Sequence, residues 1–177
     1  MVLRLGAAIC GAGIVFLCSS LAMARPEIGV DHSHAAGALG ATIVGTASAY
    51  NPYHPGYREG GLELSSGERY DPAAWAAAIQ TGLRSKFGGV RAGVRDGYAL
   101  VEADNKKVIL KIDDVGPLEP GRIIDLDERA MRYFDPTMQL GLIHDVKVTP
   151  LPGHDWTPGP VDSDWTPGPA PSLVAKG

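Results

Sequence analysis

Carboxylates crowd one stretch of the chain. Asp113 and Asp114 end an apolar run (Val108, Ile109, Leu110, Ile112), Gly116-Pro117 breaks it, Pro120-Gly121 turns the chain, and Ile123-Ile124 leads into Asp125. A strand that stops at Asp, loops, and returns as a strand stopping at Asp sets several acids at the mouth of one sheet, where loops on a rigid scaffold carry chemistry. Crowded acids raise one another's pKa, and a carboxyl kept protonated near neutral pH can deliver a proton to a leaving oxygen. Arg122 supplies a counter-charge and can grip a carboxylate through two parallel hydrogen bonds. Glu68 adds a further acid in Ser65-Ser66-Gly67-Glu68-Arg69-Tyr70. Tyr50, Tyr53 and Tyr57 flank a loop rich in Pro and Gly, and such rings either stack on sugar faces or pack the rim of a small barrel. Structural roles stand beside the chemical ones: Asp125 as a buried acceptor for loop amides, Asp113 as a turn cap.

The elements that must position these groups read as mostly β. Thr42 to Tyr50 is β-branched and small, a strand before a turn-rich loop. Asp71-Pro72 is a helix start, with Asp as N-cap and Pro at the first helical position, and the expected helix runs to about Gln80. Trp75, Ala78 and Ile79 form its buried stripe. Gly82, Gly88 and Gly89 make the next segment a loop, basic through Arg84, Lys86, Arg91 and Arg95. Tyr98 to Ala103 and Lys107 to Ile112 form a hairpin across Asp104-Asn105-Lys106. Asp125 or Asp127 caps a short helix carrying Ala130, Met131 and Phe134, Asp135-Pro136 stops it, and Ile143 to Thr149 is the last strand.

The flanks differ in kind. Arg4 followed by an apolar run from Leu5 to Leu21 and a small-x-small site at Ala22-Met23-Ala24 reads as a secretory signal peptide over residues 1–24. Both cysteines, Cys10 and Cys18, fall inside it, and Ile9 and Leu17 before them do not fit a lipid-attachment site. The expected mature chain is periplasmic or secreted, carries no disulfide, and has no membrane span once the leader is cleaved. Loss of Arg4 takes the formal charge from −4 to −5, and mild acidity with dispersed Lys and Arg argues against nucleic acid as partner. Residues 25–41 read as a flexible lead-in; Asp31-His32-Ser33-His34 lacks the further ligands a metal site needs. Residues 152–177 contain the repeat Asp155-Trp156-Thr157-Pro158-Gly159-Pro160 and Asp164-Trp165-Thr166-Pro167-Gly168-Pro169, and this composition predicts a disordered tail with exposed tryptophans. No cofactor motif is present: no phosphate-binding Gly loop, no Cys-containing metal site, no His pair on a helix.

The order of motifs adds a resemblance. Gly45 to Tyr50, Ser66 to Asp71, Ile112 to Pro117, and Gly121 to Leu126 together resemble the rare lipoprotein A (RlpA) family over roughly residues 42–151. The resemblance implies a six-stranded double-psi β-barrel with one or two short helices. It also implies action on peptidoglycan glycan strands as a lytic transglycosylase giving 1,6-anhydro-muramic acid ends, or an expansin-like, wall-loosening module without bond cleavage. On it, Glu68 and Asp114 match the catalytic Glu and Asp, and Asp125 matches the carboxylate that related barrels use as acid. Tyr50, Tyr53, Tyr57, Arg122 and Asp113 become the expected substrate contacts. The chain departs from the family pattern at Ile79, where the family has His, at Val115 in place of Arg, and at Ala49 in place of Trp. The lipid-attachment motif and C-terminal wall-binding repeat of many members have no counterpart.

Overall fold

The computed structural model describes residues 39–53 and 61–168. The leader with Cys10 and Cys18, His32 and His34, most of the lead-in, Tyr57 and residues 169–177 lie outside the described residues. Strand β1 is Ile43–Tyr50, β2 Ala76–Gln80, β3 Gly97–Ala103, β4 Lys106–Gly116, β5 Arg122–Asp127, β6 Leu142–Leu151 and β7 Gly159–Val161; one α-helix, α1, spans Glu128–Phe134. A 3₁₀ helix, Thr81–Phe87, replaces the loop expected after β2.

Strands β2-β5-β1-β6-β3-β4 neighbour one another in that order, and β2 also pairs with β4, which closes a six-stranded barrel. Two pairs are parallel, β1 with β5 and β2 with β4; the rest of the barrel is antiparallel. Closure covers the edge of β4 from Lys111 onward, and β7 pairs with the stretch Lys107 to Ile109 that β2 does not reach. The barrel interior is filled by Ile79, Val101, Val108, Leu110, Ile112, Ile124, Leu126 and Val146, and α1 adds Ala130, Met131 and Phe134 to the same core. The hairpin β3–β4 turns at Asp104-Asn105, whose φ values of 49° and 59° are those of a tight two-residue turn matching strand twist. Gly97 opens β3 because a Cβ there would collide with the Phe87 carbonyl.

The helix expected from Asp71 to Gln80 is corrected to a turn and a strand. Asp71 does cap, its Oδ1 accepting from Ala73 N at 2.9 Å, but only a single turn follows. Ala76, Ala77, Ala78 and Ile79 are all buried, with β4 on one side and β5 on the other. Alanine favours helix in isolation, yet a position between two strands supplies both ladders of hydrogen bonds, and tertiary context overrides propensity.

The disordered tail is corrected as well, as far as residue 168. Trp156 is buried against Leu100, Ile109 and Leu151, with Trp165 packed on the cluster. β7 lies antiparallel on β4, Ile109 opposite Gly159 and Lys107 opposite Val161. Pro and Gly cannot build a core alone, but one large ring and three strand residues suffice when a barrel face receives them. Ending the chain at Pro152 should therefore lower the unfolding free energy by about 3 kcal/mol or more, the scale of deleting one buried aromatic ring. An unchanged urea midpoint would show that the tail does not pack.

Candidate active site

The acids are placed by the ladder around β2. Ala78 is the register partner of Asp114 on β4 and of Asp125 on β5. Register partners point to the same face, so a small side chain stands between two carboxylates. Ser48 on β1 is the next partner of Asp125 and donates its hydroxyl to Asp125 Oδ1. Asp127, two residues on, shares that face by strand alternation. Along β4, Ala77 pairs with Ile112 and Ala78 with Asp114, so Asp113 is an extra bulged residue. That bulge is what brings two consecutive aspartates to the acid cluster.

A tight turn from the β1–β2 connection docks on the bulge. Glu63 bridges Arg69, and Leu64 N donates to the Glu68 carbonyl at 2.8 Å. Ser66 N donates to the Asp113 carbonyl at 2.9 Å. Asp114 Oδ1 accepts from Ser65 N at 2.9 Å, Ser65 Oγ at 2.6 Å and Val115 N at 2.8 Å, which fixes its orientation. Glu68 ion-pairs with Lys111 Nζ, which also lies 3.4 Å from Asp96 and 3.6 Å from Asp113. Lys111 is thus the shared cation of three acids.

Burial sets the electrostatics. Desolvation pushes the Asp113 carboxyl up to about 7, against the pull of Lys111 and with the push of Glu68, Asp96 and Asp114. Desolvation, then the charges of Asp113, Asp114, Asp125 and Asp71, raises Asp127 to about 8. Asp125 is also raised by burial, partly offset by the Ser48 hydroxyl and the Arg122 charge. Lys111 is held charged: burial opposes this, but its hydrogen bond to Glu68 and the surrounding carboxylates prevail. Asp127 Oδ2 is buried without a hydrogen-bond partner. An unpaired carboxylate oxygen is costly when ionised and much less so when it carries a proton.

The structure brings Asp114, Asp125, Asp113 and Glu68 to one side of the barrel, Glu68 through Lys111. Arg122 acts on Asp125 through its field and makes no ion pair among the described residues. Tyr50 takes the packing role of the two expected for it: its ring is buried with Leu64 and Tyr70, and its hydroxyl donates to the Gly61 carbonyl at 2.9 Å. Tyr53 is exposed and leans on Tyr70, with ring centroids 5.8 Å apart. Ile79 points into the barrel core, fully buried, and so takes no part in the acid face. Of the two residues expected to cap the short helix, Asp127 occupies the N-cap position of α1, without a side-chain cap hydrogen bond. Its membership of the cluster was not foreseen; its spacing of two from Asp125 was the available signal. Lys111, Ser48 and Ser65 also went unassigned, and only contacts between distant strands reveal them. Among the described residues, no His, Cys, Asp and Glu group is arranged to hold a metal ion. No helix among them is long and apolar enough to cross a membrane.

A family model described as lytic transglycolase, a double-psi β-barrel, matches residues 42–148. The chain belongs to this family. Among solved structures, this lytic-transglycosylase-like barrel is similar to the Streptomyces papain inhibitor at 14% identity and a TM-score of 0.47, over 65% of this chain and 97% of that one. It is also similar to the apo form of a Clavibacter michiganensis expansin at 18% identity and a TM-score of 0.45, over 66% of this chain and 52% of that one. The barrel chain thus spans about half the expansin's length. No curated protein matches the chain.

The buried acids make stability pH-dependent with a definite sign. Asp127 is raised from 3.8 to about 8, so between those values the unfolded chain releases a proton that the folded chain keeps. Stability from this group is therefore full below about pH 4 and declines as pH rises toward about 8. Asp113 adds the same sign up to about 7. Asp127→Asn should match the wild type near about pH 4 and exceed it at about pH 8 by about 2 kcal/mol or more, read from urea midpoints. A wild type with no decline over that window, and a variant no better at its upper end, would mean that Asp127 is not held protonated.

Proposed function

We propose that this barrel cleaves peptidoglycan glycan strands as a lytic transglycosylase, in the periplasm or outside the cell, leaving 1,6-anhydro-muramic acid ends. The observation that carries the reading is the pair of carboxylates, Asp114 and Asp125, on either side of Ala78, beside Asp113 and Asp127, two acids that burial keeps protonated toward neutral pH. Family membership and the leader-like first 24 residues support it.

Asp114 is the acid/base. Its exposure is intermediate while Asp113, Asp125 and Asp127 are buried, and three donors on Oδ1 aim the group. As an acid it gives its proton to the glycosidic oxygen, and the bond from the anomeric carbon to that oxygen breaks. The muramic acid 6-hydroxyl then attacks the anomeric carbon, and the same carboxylate takes the hydroxyl proton. The proton count balances and no water enters. Asp125 tunes the field around Asp114. Glu68, held by Lys111 and half-exposed, presents negative charge to the cation developing at the anomeric carbon. Tyr53, exposed beside Tyr70, supplies a stacking face for a sugar. Arg122 completes the proposed substrate contacts, toward a substrate carboxylate, while Asp113, buried beside Lys111, acts through the cluster instead of touching the sugar.

A second reading, a glycan-binding or wall-loosening module, is favoured by one feature. Ile79 fills with hydrocarbon the position where the resembled family has His, so one polar group of that family's site is absent.

Digestion of purified sacculi, read by mass spectrometry, separates the two. Anhydro-ended fragments are expected from the wild type, and Asp114→Asn should reduce their rate by about 10²-fold or more while leaving wall binding intact. Asp125→Asn should lower activity less and move the pH profile. Wall binding with no soluble fragments from the wild type would leave the second reading; fragments with ordinary reducing ends would mean hydrolysis.

A further inference from the structure

The hexapeptide that docks on the barrel is present twice. Its first copy, Asp155 to Pro160, is in the structure a ligand of the β3–β4–β6 face. Asp155 ion-pairs with Arg95 at 3.1 Å, and Trp156 is 4% exposed in the pocket of Leu100, Ile109 and Leu151. Gly159, at φ 145°, lies opposite Ile109, and Pro160 opposite Val108. A residue with a side chain is strained at that φ, so the Gly is part of what the groove selects.

Each of those contacting residues recurs nine positions later as Asp164, Trp165, Gly168 and Pro169, within an identical six-residue segment. The second copy is already beside the first. The Trp165 ring meets Trp156 edge-on with centroids 6.1 Å apart, and Lys107 Nζ donates to the Trp165 carbonyl at 2.9 Å.

We propose that the groove is a binding site for the Asp-Trp-Thr-Pro-Gly-Pro peptide with two competing occupants in the same chain, so that the tail slips by nine residues and Trp165 takes the place of Trp156. The slipped state keeps the pocket, the Arg95 pairing and the strand on β4, because the residues that make them are the same. It differs in a loop longer by nine residues after Leu151, and the entropy of loop closure grows only with the logarithm of length. It also gives up the contact between the two indoles, the hydrogen bond between His154 Nδ1 and the Asp96 carbonyl, and that from Lys107 Nζ to the Trp165 carbonyl, which keeps the first copy dominant. Val161, which pairs with Lys107 after the first copy, is replaced after the second by Ala170, also small and apolar.

A thermodynamic cycle on the full chain tests this. If the second copy replaces the first, Trp156→Ala lowers the melting temperature by less than half as much as the double variant Trp156→Ala/Trp165→Ala. Trp165→Ala alone has a small effect, and the double loss exceeds the sum of the single ones. With 5-fluorotryptophan incorporated, the Trp165 resonance of Trp156→Ala moves to the solvent-shielded position that Trp156 holds in the wild type, shown by loss of its isotope shift between H₂O and D₂O. The proposal fails if Trp156→Ala melts as low as the double variant, or if the Trp165 resonance keeps its wild-type shift and solvent response. Neither readout depends on any enzymatic activity.

Discussion

Closure of the barrel through β2 is the constraint on which the rest depends. All five of its residues pair with the parallel neighbour β4, and Ala77, Ala78 and Ile79 pair with the antiparallel neighbour β5 as well. Ala77 and Ile79 face the packed interior, and Ala76 and Ala78 are buried on the opposite face. Ala78, on that opposite face, stands between two aspartates from opposite neighbours that face the same way. The core requirement and the acid pair are thus consequences of one short strand.

The acid face is expensive to build. Asp113, Asp125 and Asp127 are each almost fully buried, and one lysine is the only cation in direct contact with any of them among the described residues. Like charges so close cannot all ionise, and the molecule resolves the conflict by keeping protons on the cluster. Held protons are what general acid chemistry requires. The same burial that keeps protons on Asp113 and Asp127 weakens the fold as pH rises.

Much of this was legible in the residues, and the failures have physical causes. The β3–β4 hairpin was visible because Asp104-Asn105 tolerates positive φ between two apolar runs. Asp114 and Asp125 are visible because each follows an apolar run that reads as a strand, although both strands continue past them, to Gly116 and Asp127. β2 was misread because Asp71-Pro72 and an alanine run are the local signature of a helix, and only its two strand neighbours overrule it. Asp127 was read as a helix cap; the strand continues through it, so period two rather than helix start governed its direction. Glu68 meeting Lys111 across 43 positions of sequence is a product of the closed topology and has no local trace.

The tail and the acid face share one strand and one tryptophan. β4 carries β7 on the same edge as β2, the first at Lys107 to Ile109 and the second from Lys111 onward. At the junction, Lys111 N donates to the Trp75 carbonyl at 3.0 Å, immediately before β2 begins. Trp75 is clamped there by Arg129, 4.5 Å over its ring, and by the edge of Tyr133, while Gly159 of the docked tail comes close to its indole. The turn that launches β2 is therefore fixed from three sides, by α1, by β4 and by the tail. Lys111 sits at the same junction with its side chain on Glu68, Asp96 and Asp113. A segment whose composition suggests a dispensable linker thus buttresses the start of the strand that holds the two acids apart.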